Sequence, residues 1–318
     1  MSEHQVLILL PVYNGARYLR PQLDSVLAQT FSSFHVLCRD DGSSDESMAL
    51  LQSYAQQHPQ KFTVFAGDKR LGASGSYSCL MEAALKHPFA NSPDCYIALC
   101  DQDDIWHPDR LRSCIDTITA VENPSDNNSS NSALDKTLAK ALIVHSDLRV
   151  IDGQGQEIAS SFMAYQGLHA EQTLFRSQLL SNTITGCTCL FNMALLRLAA
   201  PIPDKAIMHD WWLALTASAF GQIIPIKRAL VDYRQHDSNT LGAREFQQDE
   251  RAGTLLDRLL NRSDEQYFLQ LADQAQAFGQ RHAGRLSRRC RMRLWMINFL
   301  LRRQLLISRV CYHLLRRF

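Results

Sequence analysis

The chain has 318 residues, of which 46% are hydrophobic and 20% charged, and its net charge is +1. That length suits one large domain with an appendage, or two small ones. The balanced charge gives no general argument for nucleic acid, and no stretch reaches the roughly 18 apolar residues of a membrane span. Nine cysteines are scattered without a framework. Only Cys187 and Cys189 are close together, and a lone CxC lacks the second pair that a zinc site needs. An odd count and an N-terminus without a basic export signal lead to the expectation of a reducing cytoplasm.

Val6–Leu10 is a continuous apolar run ended by Pro11, as in a buried parallel strand. Gly15–Gln29 follows with Leu19, Leu23, Val26 and Leu27 at helical spacing. A second strand is predicted over Phe34–Cys38, then Asp40-Asp41-Gly42. Ser43-Ser44-Asp45-Glu46 reads as a capping box that opens a helix to about His58. Phe62–Phe65 is a third strand, Gly75–His87 a third helix and Cys95–Cys100 a fourth strand. A helix with Pro108 near its first turn runs to about Val121. This alternation predicts an α/β fold, a largely parallel sheet with helices on both faces. Ligands of such sheets sit beyond the carboxyl ends of the strands. The polar clusters Pro11–Gly15, Asp40–Ser44 and Asp101–Asp104 are at those ends.

Asn123–Asp135 is a polar loop that separates this half from the next. Ala141–Val150 is a further strand, and the DGQGQ turn at Asp152–Gln156 predicts a hairpin. Gln280–Phe318 holds eleven arginines and no acid, interleaved with Leu294, Trp295, Ile297, Phe299 and other apolar residues. Such a segment either lies on an anionic membrane surface or packs on the domain with arginine outward.

The chemistry concentrates in CYIALCDQDDIW. Three carboxylates within four residues, delivered by a buried strand, repel one another and raise each other's pKa unless something positive neutralises them. Mg²⁺ or Mn²⁺ would do so, since hard cations take carboxylate oxygens and share their sphere with phosphate. An acidic turn capping the next helix is the plainer reading.

PVYNG at Pro11–Gly15, RDDGSSD at Arg39–Asp45 and DQDDIW at Asp101–Trp106 resemble the family 2 glycosyltransferases. HDWW at His209–Trp212 and YRQHDSN at Tyr233–Asn239 extend the resemblance, which spans roughly residues 5 to 242 and is greatest to bacterial rhamnosyltransferase-like members. It implies a GT-A fold: a Rossmann-like mixed sheet flanked by helices. The domain would cover residues 1–243, with a nucleotide-binding half at 1–122 and an acceptor half at 141–243. Residues 244–318 would be a helical region with a basic amphipathic tail.

The resemblance also implies roles. Pro11, Tyr13 and Asn14 would line the donor nucleotide. Asp41, with Asp40 beside it, would accept hydrogen bonds from the base, and Gly42 would let the backbone approach. Asp101 and Asp103 form the DxD, one on the ribose beside Gln102 and the other on the metal. Asp104 is a further acid whose role does not separate from theirs. Asp210 would be the general base, with His209 where the family has Glu. His236 would close over the pyrophosphate and join Asp103 on the metal. Arg70 and Gly72, with Lys69, resemble the loop that passes the donor, or are a solvated basic turn. Trp211 and Trp212 are either core or a stacking platform for sugar.

The implied activity is inverting, metal-dependent transfer of a single sugar from dTDP-rhamnose or a UDP-sugar to a saccharide or lipid-linked acceptor, in surface polysaccharide or lipopolysaccharide synthesis. The processive members' QxxRW motif is absent. Cytoplasmic localisation is expected, with the tail on the inner face of the membrane. A DxD phosphoryl- or nucleotidyl-transfer enzyme is one alternative. An inactive nucleotide-sugar-binding, membrane-docking protein is another.

Overall fold

The computed structural model describes residues 4–123, 140–236 and 263–301. Most of the polar loop at 123–135, residues 237–239 of the YRQHDSN segment and residues 302–318 of the tail lie outside those residues.

β1 (Gln5–Val12), β2 (Phe34–Asp40), β3 (Phe62–Ala66) and β4 (Cys95–Leu99) form a parallel array in the order β3-β2-β1-β4. In β1, Leu7 and Leu9 face one core while Val6, Ile8 and Leu10 face the other, all fully buried. A strand covered on both faces needs an unbroken apolar run, because alternate residues enter different cores. Each such side chain contributes about 1.5–3 kcal/mol of burial.

α1 (Ala16–Leu27), α2 (Ser47–Gln57) and α4 (Arg110–Glu122) cover one face; α3 (Gly72–Lys86) covers the other. The predicted capping box does not form. α2 begins only at Ser47 and has no side-chain cap. Instead Asp45 accepts the N–H of Ser47 with one carboxylate oxygen and that of Ala16 with the other, at 3.0 Å each. Ser43 Oγ accepts from Asn14 N at 2.9 Å. The polar cluster therefore ties the starts of two helices together instead of serving one.

The second half turns the sheet antiparallel. β8 (Cys189–Asn192) pairs antiparallel with β4 and with β6 (Ala141–Ile151), and β6 pairs parallel with β9 (Gly221–Arg234). The two-residue β5 (Ile105–Trp106) closes the far edge against β9, and β7 (Glu157–Ala159) completes the expected hairpin with β6. The fold is a GT-A mixed sheet, as the motifs imply.

Three short helices, α5 (Phe162–Gln166), α6 (Phe175–Gln178) and α7 (Met193–Ala199), precede α8 (His209–Phe220). Trp211 and Trp212 in α8 are core residues. Trp212 is fully buried and donates its indole N–H to Ala199 O at 3.1 Å. Helix α9 (Ser263–Arg281) then packs onto α8, and α10 (Arg288–Leu301) packs against α9. Phe278 meets Trp212 edge-on at 5.3 Å, and Gln274 Oε1 accepts from Ile207 N at 2.9 Å.

Candidate active site

The carboxyl ends of β1, β2 and β4 open on a cavity of about 690 Å³, with the start of α8 and the end of β9 on its other side. Of the residues singled out for the site from sequence, Pro11, Tyr13, Asn14, Asp41, Arg70, Gly72, Asp101, Gln102, Asp103, Asp210 and His236 line it, whereas Asp40, Gly42, Lys69 and Asp104 do not. Asp40 is 4% exposed and accepts the backbone N–H groups of Gly42 and Ser43, an Asx turn that shapes the loop. Gly42 supplies that turn's positive φ of 82°.

The loop after β1 is held by Gln102. Its side-chain oxygen accepts from Tyr13 N at 2.8 Å, and its amide donates to Tyr13 O at 3.2 Å. A Cβ on Gly15 would stand 2.5 Å from that oxygen, so glycine is needed for the loops to meet. Asn14 takes a positive φ of 47° and accepts from Ser44 N at 2.8 Å. Arg70 lies 3.9 Å over the Tyr13 ring, which draws the basic loop to the cavity instead of leaving it in solvent.

Asp41 accepts the N–H groups of Leu71 and Gly72 at the start of α3, and pairs with Arg39. Burial alone would raise its pKa, but Arg39 and these N–H groups hold it below the usual carboxylate range. A carboxylate has about four acceptor positions. Arg39, Leu71 and Gly72 make four hydrogen bonds to its two oxygens and so engage both of them. Arg39 is itself braced by Ser76 Oγ at 2.8 Å. It was quoted in the RDDGSSD motif without a role, and its function as Asp41's counter-ion needed the folded strand to appear.

The DxD turn is strongly acidic, with Asp104 fully buried and Asp101 and Asp103 half-buried at the cavity wall. Burial, then repulsion from Asp103, pushes Asp101 up to about 7. Asp101 Oδ1 lies 2.8 Å from the buried Tyr77 hydroxyl, a site residue that sequence reading missed. Burial likewise raises Asp103, and His236 pulls it back, with Nε2 at 2.9 Å from Asp103 Oδ2. Asp104 is fully buried and pushed well up by burial and by both neighbours. One of its oxygens accepts from Arg234 N at 3.3 Å and the other has no hydrogen-bond partner. Asp101, Asp104 and Cys187 bring ligand atoms within 4.8 Å of one another. Burial pushes the Cys187 thiol far up, so it stays protonated, while the carboxylates and imidazole suit a hard divalent cation. Three crowded acids and an orphaned carboxylate oxygen are what such an ion would resolve.

Asp210 stands in the first turn of α8, across the cavity from this turn. One oxygen accepts from Trp211 N at 2.7 Å and the other from Gly186 N at 3.2 Å, which fixes the plane of the carboxylate. Gly186 has no motif to mark it, yet a Cβ there would meet His209 Nε2 at 2.8 Å. His209 is buried and stacked on Tyr77 at 4.1 Å, and burial lowers its pKa, so the imidazole is neutral.

The mixed sheet is the GT-A fold, and its acidic turn and Asp210 line one cavity. Residues 7–124 match the family model for glycosyl transferase family 2. An uncharacterized glycosyltransferase of Rickettsia typhi is 26% identical over 238 residues, 74% of this chain and 65% of that protein. The matched region thus spans just under two thirds of that relative's length. The dTDP-rhamnosyl transferase RfbG of Shigella flexneri is 23% identical over 74% of each chain. Among solved structures, TarS of S. aureus shares the fold at a TM-score of 0.53 and 15% identity, over 98% of this chain and 90% of that one. TarS has also been crystallised with UDP and with UDP-GlcNAc.

Proposed function

We propose that the chain transfers one sugar from a nucleotide-sugar donor, dTDP-rhamnose or a UDP-sugar, to a hydroxyl of a saccharide or lipid-linked acceptor, with inversion. The observation that carries this reading is the convergence on one cavity of Asp41, the Asp101–Asp103 pair, His236 and Asp210, from parts of the chain up to 195 residues apart. The name of one relative, RfbG, supports dTDP-rhamnose, with surface polysaccharide or lipopolysaccharide as the product class that goes with it, and the UDP complexes of TarS support a UDP-sugar.

In this reading Asp41 accepts the imide N–H of the base in place of one of its two contacts from Leu71 N, and Asp101 accepts from the ribose. Asp103 and His236 hold Mn²⁺ or Mg²⁺, which supplies positive charge for the departing diphosphate. Arg70, fixed over Tyr13, adds a cation on the same side of the cavity. Asp210 takes the proton of the acceptor hydroxyl as that oxygen attacks the anomeric carbon from the face opposite the leaving group. Two backbone N–H groups hold its carboxylate in place, so the base enters the reaction already oriented. Residues 1–243 would carry this chemistry, and residues 244–318 would be the helical region that supports it.

Calorimetric titration with dTDP and UDP, each with Mn²⁺ and with EDTA, tests the donor site. Tight binding in Mn²⁺ is expected, falling by more than about 10–100-fold in EDTA or in Asp103→Ala. Equal affinity with and without metal would remove the DxD assignment, and no binding of either nucleotide would return the phosphoryl-transfer and inactive readings.

A further inference from the structure

Burial divides α10 into two faces. Leu294 and Ile297 are buried in the core cluster that includes Phe278 and Trp212. Met292 and Trp295 face outward, 57% and 64% exposed, with Phe299 stacked on Trp295 at 5.1 Å. Residues 292, 295 and 299 follow the three- and four-residue spacing of a single helix face. Arg288, Arg289 and Arg291 are exposed around that stripe. A groove of about 450 Å³ between α9 and α10 is lined by Gly279, Ala283, Leu294, Trp295 and Arg291, placing an indole and a guanidinium at one depression.

Among the described residues no helix is long and apolar enough to cross a bilayer. An indole and a thioether held outward among cations have the composition of a surface lying in the headgroup layer. There hydrocarbon takes the apolar stripe and anionic phosphate takes arginine. An acidic protein or polymer would use the arginines but leave Trp295 and Met292 without a complement.

We infer that the outward face of α10 docks the protein on an anionic phospholipid surface, with Trp295 entering the acyl boundary and Arg288, Arg289 and Arg291 meeting headgroup phosphates. The surface stands on its own geometry; only its use, to meet a lipid-linked acceptor, rests on the proposed function. α10 packs on α9, and α9 packs on α8 through Phe278 and Trp212, so the docked element is connected to the helix that carries Asp210.

The four tryptophans make the test direct. Trp106, Trp211 and Trp212 are all 5% exposed or less, so Trp295 alone can report a change of solvent. The full chain is mixed with phosphatidylcholine vesicles, with or without phosphatidylglycerol, and its emission and sedimentation are followed. The expected result is a blue shift, and quenching by brominated acyl chains, with the anionic vesicles only. The double variant Arg288→Glu/Arg291→Glu should lose more than about tenfold in vesicle affinity. Trp295→Ser should bind more weakly while keeping its nucleoside diphosphate affinity, which shows that the chain is still folded. Unchanged emission with anionic vesicles, or equal binding to neutral ones, overturns the proposal. So does a concentration-dependent blue shift without lipid, which would assign the stripe to a second copy of the chain. Nucleotide titration of the same preparation reads the donor site separately, so failure of docking and failure of the functional reading are distinguishable.

Discussion

The acidic turn after β4 and the basic helix α10 both gather like charges, and they do so in opposite surroundings. At Asp101–Asp104 the charges are withdrawn from water, so each raises its neighbour's pKa and one oxygen is left without a hydrogen-bond partner. On α10 the arginines stay wet and surround exposed hydrocarbon. Buried like charges are costly unless a counter-charge arrives, which makes them informative about a ligand. Exposed like charges cost little and become informative only when apolar surface accompanies them. The two regions meet through α8, which carries Asp210 at its start and offers Trp212 to the C-terminal helices.

Three changes sharpen the comparison. The largest effect is expected from Asp210→Asn, which keeps the shape and removes the base. Turnover should fall by about 10²–10⁴-fold with nucleotide affinity intact, and unchanged turnover would remove Asp210 from the reaction. Next is Gly186→Ala. Its Cβ would press on His209 Nε2, which has little room because the ring is stacked on Tyr77. Moving the adjacent carboxylate by a fraction of an ångström should lower kcat by up to about 100-fold, with nucleotide binding unchanged. Full activity in this variant would mean that the turn before β8 yields and that the orientation of Asp210 is not tightly held.

The smallest effect concerns the acid limit of the C-terminal packing. His282 is buried among Trp212, Phe220 and Phe278, and burial, aided by Arg281 and Arg285, lowers its pKa to about 4. The unfolded imidazole binds a proton near 6.5, so between those values the unfolded state holds more protons than the folded one. The stability contribution is therefore complete above about 6.5 and is lost as pH falls towards 4. His145, fully buried in β6 and also lowered to about 4, titrates in the same window. His282→Asn should flatten the pH dependence of thermal stability there in part, leaving the share of His145. An unaltered profile would assign the effect to the other histidines whose pKa burial lowers, His145, His209, His35 and His87.

Much of the sheet was legible in the chain. Apolar runs such as Val6–Leu10 and Cys95–Leu99 must be buried on both faces, and the polar residues that follow must lie beyond the strand ends. The pairing of partners was not. Ser43 and Asp45 carry the composition of a capping box, but their oxygens went to the loop before α1 and to the starts of both helices, because those N–H groups stood nearby in space. β9 brings His236 back against Asp103 across 133 residues, and no periodicity records such a return. Tyr77 and Gly186 act on motif residues from other elements, whereas Arg39 pairs with Asp41 two residues on, a contact that depends on how the strand end is folded.

The sequence by itself determined the layered α/β architecture, the strand ends at which polar residues gather and the acids placed there, since burial pattern and residue chemistry are local properties. Only the tertiary structure decided which acids are dry, which are already engaged by backbone N–H groups, and which face of α10 remains in solvent. Those outcomes depend on what packs against each group, and desolvation, repulsion and exposure belong to that environment rather than to the residue.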